Sequence, residues 1–107
     1  MASDDELLAA YLRDVRDLPV LGQSEEGDAL ARTRTRPGDE TARRRLIEGY
    51  LELTALLAIR LAPGGMRTLD AIQEANLVLI RLVDDTSVTR LAARLTDAII
   101  ERFNELR

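Results

Sequence analysis

The sequence predicts an all-α protein, and two observations favour that class. Apolar residues recur three and four positions apart in successive segments of the 107-residue chain, which is the spacing of one helix face. Aromatic residues make up only 3% of the chain although 46% is hydrophobic, so the core must be built from Leu, Ile, Val and Ala. Such side chains suit the packing of helix on helix. We therefore expect one domain over residues 1–107, a compact bundle of about five helices.

Prolines at positions 19, 37 and 63 separate the predicted helices, because proline breaks a helix interior. The first helix opens with Ser3 followed by Glu6, a capping-box pattern, and continues with apolar residues at helical spacing to Val15. The second begins near Gln23 or Ser24 and runs to about Thr35, with a thin apolar stripe. Residues 1–36 are thus expected to form an N-terminal helical pair.

The third and fourth helices are expected within residues 39–85, and a divergent last helix within residues 87–107. Asp39 is a good N-cap for the third helix, which is apolar on most of its circumference from Leu46 to Leu61 and should be central. Thr68 is expected to cap the fourth. The last helix carries an apolar stripe that the thin second helix does not cover, which predicts a homodimer through Val88, Leu95, Ile99 and Phe103.

Catalysis and metal binding are not expected. The chain has no cysteine and no histidine, which excludes disulfides and thiolate sites and removes the commonest general base. Asp70 and Glu74 lie four residues apart without a facing pair of ligands, which is typical of a solvated face. We predict no catalytic residue, no metal and no cofactor. The acidic N-terminus lacks the pattern of a signal peptide, and no apolar run approaches membrane length, so the expected location is the cytoplasm, with no membrane partner.

Charge is uneven along the chain. Six arginines stand against two acids between Arg32 and Arg45, whereas eight acids stand against two arginines from Met1 to Asp28. The arginines allow a weak nucleic-acid contact, but a net charge of −4 disfavours stand-alone DNA binding, because phosphate contacts supply most non-specific affinity. The candidate residues for this weak contact are Arg32, Arg34, Arg36, Arg43 and Arg44.

The segment from Leu69 to Val83 carries the most informative pattern. One face is apolar, and the other places the aliphatic Leu77 among acids and amides, which is typical of a protein-binding surface. The candidate partner-binding residues on this segment are Asp70, Gln73, Glu74, Asn76, Leu77 and Ile80.

This segment resembles the core-binding helix of the sigma-70 family of bacterial RNA polymerase sigma factors. The family pattern Asp-Leu-Ile-Gln-Glu-Gly-Asn-Leu-Gly-Leu is similar to residues 70–79, which read Asp-Ala-Ile-Gln-Glu-Ala-Asn-Leu-Val-Leu. Residues 42–48 resemble the start of the preceding helix, residues 11–21 the N-terminal helix and turn, and residues 25–32 the acidic-then-basic second helix. The resemblance covers roughly residues 5–85.

The resemblance implies that the fourth helix docks on the two-helix clamp of the polymerase β′ subunit, with Asp70, Gln73, Glu74, Asn76 and Ile80 in contact and Leu77 adding apolar area. Residues 86–107 depart from the family, since they contain no Trp or Tyr where family members hold the melted promoter strand. Stacking contributes ~1–3 kcal/mol per base, so strand opening should be lost. The promoter-reading regions further downstream are also expected to be missing.

The sequence thus predicts a sigma-factor-like transcription regulator that binds polymerase core without melting or reading promoters. The alternative is a helical interaction module, self-associating in one version, that keeps the fold but does not bind polymerase.

Overall fold

The computed structural model describes residues 1–35 and 38–107, and it confirms the all-α prediction. The helices are α1 (Asp4–Arg16), α2 (Gln23–Thr35), α3 (Glu40–Leu61), α4 (Thr68–Asp84) and α5 (Leu91–Glu105), and the described residues contain no strand. The break expected at Pro37 lies outside the described residues. Gly38, next to it, has a φ of +93°, a left-handed conformation that favours glycine.

Two of the three predicted helix caps form. The Ser3 hydroxyl accepts a hydrogen bond from the backbone N–H of Glu6 at 3.2 Å, and the Asp39 carboxylate accepts one from Ala42 at 3.1 Å. The prediction for Thr68 is wrong. Thr68 is the first residue of α4, and Arg67 occupies the cap position without a side-chain cap.

The pair α3 and α4 forms the centre of the bundle, and each of these two helices contacts all four others. The prediction that α3 is central is therefore confirmed. Its apolar circumference is not fully covered, however, because Leu53, Leu56 and Ile59 remain exposed.

Helix α5 closes the core against α4 and α3. Leu91, Leu95 and Ile99 are fully buried, and Phe103 is 1% exposed. The prediction of an uncovered stripe on this helix is thus wrong, because Leu95, Ile99, Phe103 and the preceding Val88 all face the bundle rather than solvent. The sequence pattern identified the stripe correctly but did not show that α3 and α4 supply its cover. The argument for a dimer through α5 falls with it.

No helix in the described part of the chain is long and apolar enough to cross a membrane.

Candidate protein-binding face

The outward face of α4 presents one exposed stripe. Asp70, Gln73 and Leu77 lie at positions i, i+3 and i+7, so they share one side of the helix, and all three are exposed. Leu77 is 47% exposed and, among the described residues of α4, is the one large aliphatic side chain that is open to solvent. We call Asp70, Gln73 and Leu77 the α4 face. It keeps the mixed chemistry that the sequence predicted for a protein-binding surface.

Glu74 borders the α4 face on the side of α5, and it is not free. Its carboxylate accepts a hydrogen bond from Nε of Arg102 at 3.0 Å, and both side chains are about 30% exposed. Arg102 also donates to Glu105 at 3.0 Å. Hydrogen bonds to Glu74 and then to Glu105 raise the pKa of Arg102 above its ordinary value. An ion pair therefore ties Glu74 to α5, and the partner contact predicted for Glu74 would have to compete with it.

Asn76 borders the opposite side, where α1 packs. Its Nδ2 donates a hydrogen bond to the Tyr11 hydroxyl at 3.1 Å, and its Oδ1 is buried without a partner among the described residues. Ile80, also on this side, is half-buried. This amide thus holds α1 against α4, and the partner contact predicted for Asn76 would have to compete with that bond.

The predicted basic stretch is mostly occupied by contacts within the chain. The Arg34 guanidinium donates to the carbonyl of Val88 and, at 3.3 Å each, to those of Leu82 and Val83. Arg43 forms a two-pronged ion pair with Asp84 at 2.8 and 3.0 Å. Both arginines thus hold the C-terminal end of α4, and a nucleic-acid contact by either one would have to compete with these bonds.

The remaining basic candidates are exposed and lie beside acids. Arg32 pairs with Asp28 at 3.2 Å and Arg44 with Glu48 at 3.8 Å, each across one helix turn. Exposed pairs of this kind contribute little to stability and offset the local positive charge. Arg36 lies outside the described residues. Each of the four described candidates thus lies against an acid or against backbone carbonyls of the chain itself.

The three aromatic residues are also engaged. Phe103 is buried, the Tyr50 hydroxyl donates to Glu26, and the Tyr11 hydroxyl accepts from Asn76. Burial, followed by the bond to Glu26, raises the pKa of Tyr50. Across residues 1–35 and 38–107 no aromatic ring is fully exposed in the way that stacking on a nucleic-acid base requires.

Sequence reasoning missed two features. One is the role of Arg34, which depends on carbonyls about fifty residues away and leaves no local signal. The other is the exposed apolar side of α3, for which the all-round apolar pattern was a usable signal. Within the two described segments, no three potential ligands cluster in a way that could hold a metal ion.

Comparison with curated proteins gives matches to sigma factors. The chain is 39% identical over 80 residues to the RNA polymerase sigma factor SigA of Clostridium acetobutylicum, a match that covers 75% of this chain and 21% of that protein. It is 39% identical over 74 residues to SigA of a Bacillus species, covering 69% of this chain and 19% of that protein. The chain thus spans about a fifth of the length of these relatives. A comparison with protein-family models gives no match.

Proposed function

The chain belongs to the sigma-70 family over the stretch that it shares with the two SigA proteins, and from this premise we propose that it acts in transcription by binding the RNA polymerase core. The partner we propose is the two-helix clamp of the β′ subunit, to which the resemblance of residues 70–79 points. In this role the chain is a binding protein and not an enzyme.

The observation that carries the proposal is the α4 face. The exposed Leu77 has Gln73 and the exposed Arg81 one turn away on either side and Asp70 two turns away, so the face combines apolar area with charged and hydrogen-bonding groups, as a protein interface does. Of the six candidates, Asp70, Gln73 and Leu77 are the ones exposed to a partner, and Ile80 is half-exposed beside them. Glu74 and Asn76 act at the borders, where they fix α5 and α1 in place.

Promoter opening is not part of the proposed role. The only aromatic residue between positions 86 and 107 is Phe103, and its ring is buried in the core, so this segment offers no platform for an unpaired base. Residues 1–107 would then occupy the clamp without themselves holding the melted strand, and would compete there with complete sigma factors. DNA contact, if it occurs, is weak or confined to the polymerase complex.

The test is the affinity of the full chain for an isolated β′ clamp fragment. Asp70→Arg and Leu77→Ala should each weaken binding by about 2 kcal/mol, because they place a repulsive charge or remove the apolar anchor at the centre of the interface. Asp97→Arg and Ile100→Ala are the matched controls, since both residues are exposed on α5 outside the α4 face.

Folding must be checked beside binding. Asp70 lies in the first turn of α4, where a negative charge is favourable, so its reversal should cost up to about 1 kcal/mol of stability and no more. If wild type binds the clamp fragment no better than Asp70→Arg does, the α4 face is not the docking site, and if wild type does not bind the fragment at all, polymerase binding is excluded. The interaction-module alternative then takes its place.

A further inference from the structure

One side of α3 is apolar and uncovered. Leu53, Leu56 and Ile59 are 43%, 52% and 43% exposed, and no other helix of the described chain leaves three large aliphatic side chains open. We call these three residues the α3 face. Val20, in the loop between α1 and α2, is 74% exposed and lines an apolar hollow together with Leu53, so the surface continues beyond the helix. A contiguous apolar surface of this kind marks a site of association.

Two opposite charges lie in line with the centre of this face. Glu52, Leu56 and Arg60 are spaced four residues apart, so they form a single ridge about 12 Å long on the helix surface. Leu53 lies on one flank of the ridge and Ile59 on the other. Among the residues that the structure describes, neither Glu52 nor Arg60 makes an ion pair, so both charges are available to a partner.

We propose that a second copy of this chain binds the α3 face, with the two α3 helices antiparallel about a two-fold axis near Leu56. In the commonest class of helix packing, with axes crossing at about −50°, the ridges of residues four apart on the two helices run alongside each other. A two-fold axis reverses one ridge relative to the other. Glu52 of each copy then lies beside Arg60 of the other, and Leu56 lies beside its own counterpart.

The arrangement of charge favours a second copy over an unrelated partner. The ridge has an acid at one end, a base at the other and a leucine midway, so it is complementary to itself when inverted. A partner of uniform charge would meet repulsion at one of the two ends. This association is separate from polymerase binding, since it uses α3 and none of the residues of the α4 face.

The dimer should be weak. A contact built on one helix and an adjoining loop falls at the low end of the size range of specific interfaces, below about 1,200 Å². We therefore expect a dissociation constant in the micromolar range or above. Sedimentation equilibrium of the full chain from about 10 µM to about 1 mM covers that range.

Charge reversal provides the decisive test. Glu52→Arg alone and Arg60→Glu alone each turn both symmetry-related pairs repulsive, so each should weaken dimerisation by about tenfold. The double variant Glu52→Arg/Arg60→Glu should recover the wild-type constant within about threefold. An equimolar mixture of the two single variants should also associate, because both of its ion pairs are restored between unlike chains.

Leu56→Arg tests the centre of the face and Ile100→Arg, on α5, is its control, since both replace an exposed aliphatic residue by the same cation. Leu56→Arg should leave the chain monomeric at 1 mM in the same experiment, and Ile100→Arg should not. Circular dichroism checks that all variants fold. A wild type that is monomeric throughout, a Leu56→Arg variant that still dimerises, or single reversals that the double variant does not rescue would each overturn the proposal. The apolar face would then belong to a different partner.

Discussion

Replacing Arg34 by alanine should destabilise the fold although Arg34 lies in a stretch rich in surface arginines. Its guanidinium donates to the carbonyls of Leu82, Val83 and Val88, which lie at and just beyond the C-terminal end of α4. The last carbonyls of a helix have no partner within the helix, so a side chain from α2 satisfies groups that would otherwise face a largely apolar surrounding. The contact also fixes the turn that leads into α5.

The magnitude follows from the bonds lost. Hydrogen bonds to a charged group contribute roughly 1.5–3 kcal/mol each, and water can replace part of them because the Arg34 side chain is half-buried. We expect Arg34→Ala to lower the free energy of unfolding by about 2–3 kcal/mol. Arg34→Lys should lower the free energy of unfolding by less, since an ammonium group keeps the charge but cannot donate to three carbonyls at once as the planar guanidinium does.

Urea unfolding followed by circular dichroism measures this loss. With a slope of about 1.5 kcal/mol per molar urea, the midpoint should fall by roughly 1.3–2 M for Arg34→Ala. Arg32→Ala, on the same helix but paired only with Asp28 across one turn, should change stability by less than about 0.5 kcal/mol. Equal midpoints for Arg34→Ala and Arg32→Ala would refute the assignment. A DNA affinity that falls without a change in stability would restore the role predicted from sequence.

Two further perturbations test the core and the end of α4. Phe103→Ala should lower the free energy of unfolding by about 3–5 kcal/mol, because it removes the largest fully buried side chain. Urea unfolding measures this loss, with Ile100→Ala as the control. The hydrogen bond from Arg43 lowers the pKa of Asp84, so the ion pair stabilises the fold at pH values above the ordinary carboxyl pKa of 3.8. This contribution, under about 1 kcal/mol for an exposed pair, is lost as the pH falls below that value. Stability curves against pH for wild type and Asp84→Asn should converge at low pH, and a constant difference between them would contradict the pairing.

The helices were predictable from the sequence because their signals are local. Ser3 and Asp39 cap the helices that follow them, since the hydrogen bond of a cap joins residues only three apart. The buried side of α5 was also identified by its periodicity. What that periodicity could not show is which surface covers it, because cover depends on how α3 and α4 pack. An apolar stripe therefore predicts burial more securely than it predicts a dimer.

In the candidate site, too, the sequence does not show which other helices contact each residue. The sequence places Asp70, Glu74 and Asn76 on one helix by spacing and by family resemblance, and spacing alone does not show which of them is accessible to a partner. Their accessibility differs because Glu74 is bound by Arg102, 28 residues away in the chain, and Asn76 by Tyr11, 65 residues away. Those bonds place α5 and α1 along the two borders of the α4 face and leave Asp70 and Leu77 open between them. A substitution of Glu74 or Asn76 therefore changes helix packing as well as any partner contact, whereas Gln73 and Leu77 report on binding alone and Asp70 does so once its small effect on stability is subtracted.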